Sequence, residues 1–149
     1  MLKSTKLKNT LIACTTILFV SCSGQKEIKM GTYAYDARFL KEHGIEYKEL
    51  VSADGNSKVM LIPAWQGRVM TTSASGDEGD SYGWINYRFI NEGKVSTQFN
   101  PVGGEERFWL GPEGGPFSLY FKEGQEQVYD NWVVPAVLDT EAFDIKSQS

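Results

Sequence analysis

The sequence predicts a mainly β protein, an antiparallel β-sandwich with one or two short helices, with a barrel as the alternative. Three observations lead to this prediction. An Asp54-Gly55 turn separates two strand-like runs, 46–52 and 57–63, and this arrangement is typical of a hairpin. Turn-forming Gly and Pro residues are dense over 100–117. Only one stretch, 32–43, carries a clear helical pattern.

The predicted helix comes first in the domain. Its N-cap is Thr32 or Asp36, and Gly44 is placed to close it. The two strands around the Asp54-Gly55 turn follow. A third strand is predicted over 68–75, where β-branched residues are frequent, after a sharp bend at Gly67.

The second half of the chain alternates short apolar runs with turns. Residues 81–91 fit a strand or a short helix, and the helix is favoured because Asp80 or Ser81 could cap it and Gly93 could end it. The remaining predicted elements are short strands at 107–110, 117–122 and 142–145 and an extended segment at 131–136. Altogether we expect about six strands.

The N-terminus has the pattern of a secretory signal. Lys3, Lys6 and Lys8 precede an apolar run, 11–20, which is too short to span a bilayer. The run ends in Phe19-Val20-Ser21-Cys22, which resembles the bacterial lipoprotein signal box. The resemblance implies that Cys22 receives a diacylglycerol and becomes the new N-terminus. An uncleaved anchor is the alternative.

The predicted organisation is a signal peptide over 1–21, a tether over 22–31 and a β-rich domain over 32–149. Ser rather than Asp after the Cys favours the outer membrane, by resemblance to enteric lipoproteins, with the domain in the periplasm or on the cell surface. The lipid on Cys22 is then the membrane contact. Oligomeric state and membrane face stay open.

Charge and residue counts exclude several function classes. Cleavage before Cys22 removes three lysines and no acid, so the net charge falls from −4 to −7, which argues against nucleic acid as a partner. His43 is the only His, and the mature chain keeps no free thiol. Neither a multi-His zinc site nor a Ser-His-Asp triad is therefore expected. No cofactor and no metal are predicted.

Two segments carry a resemblance to a known fold. Residues 62–69, Ile-Pro-Ala-Trp-Gln-Gly-Arg-Val, resemble the early strand pair of the galactose-mutarotase-like supersandwich, and 103–113 resemble its Gly-Gly…Trp…Pro segment. Together with Tyr82-Gly83-Trp84-Ile85-Asn86, the latter segment is similar to a family of uncharacterised bacterial lipoproteins with that fold. The resemblance covers most of 33–145.

The resemblance implies carbohydrate binding or mutarotase-like activity. It also implies that this chain corresponds to the N-terminal portion of a longer domain, because mutarotase-like domains are larger. The catalytic His and acid of such domains lie on later strands, and His43 comes too early to match, so no catalytic residue is transferred. The alternative expectation is a truncated, inactive portion of a sugar-epimerase-like protein without independent function.

The candidate ligand-binding residues lie in or near the turn-rich region. They are Trp84, Asn86, Arg107, Trp109 and Glu113. Aromatic rings cover the apolar face of a sugar, and a guanidinium offers paired donors to hydroxyls or a carboxylate. The alternatives are tryptophans that fill the core, together with Trp132, and a surface Arg107–Glu ion pair.

Three other patterns are assigned no function. Glu105 and Glu106 are adjacent in sequence, and adjacent residues of a strand point to opposite faces, which argues against an acid–base pair. The acidic residues at 77, 78 and 80 are read as a solvated loop rather than a Ca²⁺ site, because they lack the EF-hand spacing. The glycines of 111–115 lack the Lys-Ser/Thr of a phosphate loop.

Overall fold

A computed structural model of the chain describes residues 27–147. The predicted signal peptide and the first half of the tether, 22–26 with Cys22, lie outside the described residues. The mainly β, antiparallel fold with short helices is confirmed, because this part of the chain forms two antiparallel sheets, of three and two strands, accompanied by two α-helices. The sandwich arrangement stays a prediction. No helix within 27–147 has the length and apolar character needed to cross a membrane.

Helix α1 spans Tyr33–Glu42 and confirms the first predicted element. Thr32 is its N-cap, and the hydroxyl oxygen accepts a hydrogen bond from the Tyr35 amide at 3.3 Å. The helix ends before Gly44, whose φ of 70° lies in the left-handed region that Gly tolerates. Asp36, the other cap candidate, is buried inside the helix instead.

The larger sheet has the order β1-β2-β3, with β1 at Lys48–Val51, β2 at Lys58–Ile62 and β3 at Arg68–Ser73. All pairs are antiparallel. Gly55 turns the predicted hairpin with a φ of 75°, and the bend before β3 has positive φ at 66 and 67. The hairpin, the third strand and the bend are thus confirmed.

The smaller sheet consists of two very short strands, β4 at Trp84–Ile85 and β5 at Gly103–Gly104. Trp84 lies opposite Gly104 in the antiparallel pair. Directly after β5 the chain joins the edge of β3, where the Val69 amide donates to the Glu106 carbonyl at 3.0 Å and the Val69 carbonyl accepts from the Glu105 amide at 2.9 Å. The end of β5 and the start of β3 are therefore held side by side.

Helix α2 spans Tyr87–Glu92, so residues 81–91 form a short strand followed by a helix. The predicted caps are wrong, because Asn86 caps the helix through a hydrogen bond from the Phe89 amide at 3.2 Å. Ser81 cannot cap it, since its hydroxyl contacts Asp36 and Thr71. Gly93 ends the helix as predicted.

A buried polar network joins both helices to β3. The Asp36 carboxylate accepts hydrogen bonds from the hydroxyls of Ser81 and Tyr87, and Ser81 lies 2.6 Å from the Thr71 hydroxyl. Burial raises the pKa of Tyr87, and its hydrogen bond to Asp36 raises it further. Each polar group that leaves water here finds a partner, as burial requires.

The apolar side chains form two clusters. The larger lies between the helices and the sheets and contains Tyr33, Leu40, Met60, Ile62, Met70, Ile85, Ile90 and Val102. The smaller lies in the C-terminal region and contains Tyr120, Val134 and Leu138, with Phe99, Trp109, Phe121 and Trp132 packed against it.

The predicted strands at 107–110, 117–122 and 142–145 are wrong, because none of these segments pairs in a ladder. They make isolated backbone hydrogen bonds instead, such as the Val133 amide to the Tyr120 carbonyl at 2.9 Å. Gly and Pro interrupt the region too often for neighbouring strands to align. Trp109 of the first segment and Tyr120 and Phe121 of the second pack in the smaller cluster.

Candidate functional site

A cleft of about 350 Å³ lies where β4 and β5 meet the edge of β3. Two arginines, two aromatic rings and two glutamates contribute side chains to its wall: Arg68, Arg107, Trp84, Phe99, Glu105 and Glu106. Arg68 comes from β3 and Trp84 from β4, while the others follow or precede β5. The cleft therefore depends on the junction of the two sheets.

Gly103 and Gly104 make this junction sterically feasible. A Cβ atom on Gly103 would lie 2.1 Å from the Trp84 carbonyl oxygen, so any larger residue would break the β4–β5 pair. A Cβ atom on Gly104 would lie 2.6 Å from Cδ of Arg68. Both glycines also have positive φ, 95° and 121°. The pair thus leaves room for the Arg68 side chain.

Arg68 is only 3% exposed, although it carries a charge. Its Nη1 atom donates to the Gly103 carbonyl at 2.5 Å. The Nε and Nη2 atoms have no hydrogen-bond partner among the described residues. Burial and then the positive charge of Arg107 lower the pKa of Arg68 to about 10, and the Asp139 charge acts in the opposite direction. Arg68 is thus a buried cation with two donor groups that have no acceptor in the described chain.

Arg107 lies between two aromatic rings. Its guanidinium carbon is 3.8 Å from the Trp109 ring centre and 5.1 Å from the Phe99 ring centre. Within 27–147 Arg107 forms no ion pair, so the alternative of a surface Arg107–Glu pair is not found there. Its Nη1 atom is buried and has no hydrogen-bond partner in the described chain. Burial lowers the pKa of Arg107.

Trp109 and Glu113 hold Arg107 in position without lining the cleft themselves. The Trp109 Nε1–H group donates to Glu113 Oε1 at 2.7 Å, which fixes the indole. The indole contacts Arg107 and also packs against Tyr120, with the two ring centres 5.3 Å apart. Trp132 stacks in parallel on Tyr120 at 5.7 Å. Trp109 and Trp132 therefore belong to the smaller cluster, and neither lines the cleft.

Trp84 differs from these two tryptophans. It is 63% exposed, lines the cleft and stacks on no other aromatic ring of the described chain. Asn86, two residues further along, is turned away: its side-chain oxygen caps α2 and its Nδ2 atom donates to the Pro101 carbonyl at 2.8 Å. Of the five candidate residues, two line the cleft, two support Arg107 and one caps a helix.

Both glutamates at the cleft are exposed. Glu105 accepts a hydrogen bond from the Thr72 hydroxyl at 3.0 Å, and Glu106 accepts one from the Arg107 amide at 3.0 Å. Each carboxylate keeps acceptor sites that these single bonds leave unfilled. The cleft accordingly presents acceptors as well as donors, which suits hydroxyl groups.

Asp139 is a buried acid whose charge acts on both arginines. Its Oδ2 atom accepts from the backbone and side-chain nitrogens of Asn100, at 3.0 and 2.8 Å, while Oδ1 has no partner among the described residues. Its charge raises the pKa of Arg68 and of Arg107 against the lowering effect of burial. This effect offsets burial only in part, because the pKa of each arginine stays lowered.

Arg68, Gly104 and Asp139 were not predicted from the sequence as site residues. Arg68 had a detectable signal: it alternates with Met70 at inward positions of β3, so a charged side chain occupies a core position. No local sequence pattern identifies Asp139, because only the fold brings its charge close enough to act on the two arginines.

The other patterns have structural explanations. Asp77 of the acidic loop pairs with Lys58 at 2.5 Å. Among residues 27–147 no three His, Cys, Asp or Glu side chains are grouped as a metal site would need. The His43 ring lies 2.7 Å from the Asn91 side-chain oxygen, beside a second, more apolar cleft of about 480 Å³.

Comparison with known proteins gives a family and no function. The model of DUF6786, a family of unknown function, matches residues 31–149. No curated protein and no solved structure matches the chain. The matched range contains every residue of the cleft.

Proposed function

Since the chain belongs to DUF6786, a family of unknown function, we propose its function from the cleft alone: the protein binds carbohydrate, with the sugar ring against Trp84. The exposed, unstacked indole of Trp84 at the cleft wall carries this proposal. Sugars present an apolar C–H face, which a rigid aromatic ring covers at little entropic cost.

The polar groups around Trp84 suit a polyhydroxylated ligand. Arg107 offers donors, and Glu105 and Glu106 offer acceptors, all along the same wall. A volume of about 350 Å³ lies within the range of small-molecule sites and suits a sugar unit rather than a long chain. A few directed polar groups beside an aromatic surface are what orients a ligand in such sites.

We propose that the binding domain is held at the cell envelope by lipid on Cys22. The signal-like pattern of residues 1–22 supports this part of the proposal. The range 22–31 would then be a tether between the lipid and α1. A lipid-anchored domain of this kind could collect saccharides close to the outer membrane.

A second candidate is an inactive portion of a longer sugar-epimerase-like domain. It is favoured by the exposed apolar side chains over 108–145, which further strands of a supersandwich would cover. Phe117 is 83% exposed and Tyr129 is 72% exposed. This candidate predicts no saccharide binding by the purified chain and no mutarotation, whereas the first predicts binding without mutarotation.

Calorimetric titration of the protein, purified in detergent with its native N-terminus, against monosaccharides and short glycans tests the proposal. We expect at least one glycan to bind and Trp84→Ala to weaken that binding about tenfold or more. Phe117→Ala is the control, because it removes an aromatic ring that is also exposed, at 83% against 63% for Trp84, and that lies outside the cleft. Equal losses in the two variants, or no binding at all by a folded sample, would refute carbohydrate binding at Trp84.

A further inference from the structure

We propose that the bound saccharide is acidic and that Arg68 and Arg107 hold its anionic group. This inference rests on the proposed carbohydrate function and names the ligand class of the same site. It is carried by the donors of two guanidiniums that line one cleft and lack acceptors. These donors are Nε and Nη2 of Arg68 and Nη1 of Arg107.

Such donors are unusual in a folded protein. A buried N–H group of a cation without an acceptor loses its hydration and gains nothing in return. Arg68 is 3% exposed, and the positive charge of Arg107 acts on it more strongly than the negative charge of Asp139 does. A bound oxyanion would provide the missing acceptors and the missing charge together.

The protein's own acids do not fill this role. Asp139 is held by Asn100 through Oδ2, and no hydrogen bond or ion pair joins it to either arginine in the described chain. Glu105 and Glu106 are exposed at the rim and bind Thr72 and a backbone amide instead. The two arginines that line the cleft therefore keep donors that no acid of the described chain fills.

The geometry of the arginines suits an oxyanion and not merely any negative charge. Arg107 packs against two rings that meet edge to face, and the Arg68 stem is confined by Gly104 and tied to Gly103. Guanidiniums fixed in this way present planar pairs of donors, which match the oxygens of a carboxylate, sulfate or phosphate.

The rest of the cleft indicates that the anion is part of a sugar. A free inorganic ion would use neither Trp84 nor the acceptors of the rim carboxylates. In an acidic saccharide the anionic group can lie on the arginines and the ring on Trp84. Its hydroxyls can then donate to Glu105 and Glu106. Uronic acids and sugar sulfates or phosphates share this chemistry.

Calorimetry with matched sugars tests the inference. Glucose is compared with glucuronate, galactose with galacturonate and with galactose 6-sulfate, and sodium acetate and sulfate are titrated alone. We expect an acidic sugar to bind at least about tenfold more tightly than its neutral partner, because charged hydrogen bonds to a fixed guanidinium are strong. The uronate and sulfate arms distinguish the two sources of anion.

Three variants test the residues. Arg107→Gln is expected to abolish the preference for the acidic sugar, and Arg107→Lys to retain only part of it, because Lys keeps the charge without the planar fork. Arg88→Gln is the control, since that side chain is 92% exposed on α2, outside the cleft. Arg68→Gln is informative only if it folds, so the Arg107 pair decides the test.

The outcomes separate the two proposals. Equal affinity for neutral and acidic sugars, abolished by Trp84→Ala, would overturn this inference and leave carbohydrate binding intact. Binding of sulfate or acetate with no sugar binding would overturn both. An acidic preference that survives Arg107→Gln would overturn the assignment of the arginines while supporting the sugar site.

Discussion

The guanidinium carbon of Arg107 lies 3.8 Å from the centre of the Trp109 ring. This contact fixes an arginine that would otherwise sample many rotamers. It also covers the Trp109 ring, which is then not available to stack on a sugar. The indole is itself fixed by its hydrogen bond to Glu113. The Glu113 carboxylate thus fixes the position of the indole, and the indole in turn fixes the guanidinium at the cleft.

Trp109→Leu tests this chain of contacts. Loss of the ring removes a cation–π interaction of about 0.5–2 kcal/mol, so we expect acidic-sugar affinity to fall several-fold while neutral-sugar affinity changes little. Trp109→Phe keeps a ring for Arg107 and should restore most of the affinity. Calorimetry on both variants measures the effect. Equal losses for neutral and acidic sugars would indicate a general disturbance of the smaller cluster instead.

Gly104→Ala is expected to disable the cleft. The new Cβ would lie 2.6 Å from Arg68 Cδ, at a position where φ is 121°. Displacement of Arg68 and backbone strain together should lower the free energy of unfolding by about 1–3 kcal/mol and weaken acidic-sugar binding. Urea unfolding and calorimetry measure the two effects. Gly114→Ala is the control, since its nearest neighbour would be the end of the Gln127 side chain at 3.4 Å.

Asn86→Ala separates a cap from a ligand. Loss of the α2 cap should lower the free energy of unfolding by about 1 kcal/mol, and we expect sugar affinity to stay unchanged because the side chain points to backbone groups. Asn86→Asp keeps the capping oxygen and should recover part of the stability. A loss of affinity in both variants without a loss of stability would instead make Asn86 a ligand-binding residue.

Tyr87→Phe tests the buried network at Asp36. The phenol donates to the Asp36 carboxylate, so its removal should lower the free energy of unfolding by about 1–3 kcal/mol near neutral pH.

The same hydroxyl should make the fold sensitive to alkali. The folded state raises the pKa of Tyr87, so above pH of about 10 the unfolded chain releases this proton while the folded chain keeps it. Tyr87 therefore contributes stability below pH 10 that is lost as the pH rises further. Urea midpoints between pH 8 and 11 should fall less steeply for Tyr87→Phe than for the natural protein. Tyr82→Phe, at a tyrosine that is 59% exposed, is the control.

Cys22→Ala tests the proposed anchor. Without the sulfur no diacylglycerol can be attached, so metabolic labelling with palmitate in a bacterial host should give no labelled protein, whereas the natural sequence should be labelled. Ser23→Ala, next to it, leaves the thiol and should label normally. Labelling that persists in Cys22→Ala would contradict lipidation at this residue.

Elements with local signals were predicted well from the sequence. Thr32, Gly44 and Gly55 are marked by capping and turn chemistry that acts within four residues, and each occupies its predicted role. Residues 107–110 failed because a strand also needs a partner ladder, and nothing local shows that the partner is absent. Trp109 of this segment packs in the smaller cluster, whereas Phe108 and Leu110 are exposed.

The residues of the candidate site likewise divide into those that the sequence identified correctly and those that it did not. Trp84 and Arg107 could be identified from an aromatic and a charged residue close to turns, and both line the cleft. Asn86 caps α2 instead of lining the cleft, because the helix begins at Tyr87 and not near 81 as the sequence predicts. Arg68 was missed because the strand prediction over 68–75 did not consider which face each residue occupies, although the alternation places Arg68 on the same face as Met70.

Arg68 also has a consequence for the evolution and engineering of this chain. A charge that is buried beside another charge weakens the empty protein, and an apolar residue of similar volume at such a position often makes a protein more stable. Selection for thermal robustness alone would therefore tend to replace Arg68. Its presence, together with the glycine that makes room for it, indicates a compromise between robustness and recognition. Attempts to rigidify this fold should leave β3 untouched at its first residue.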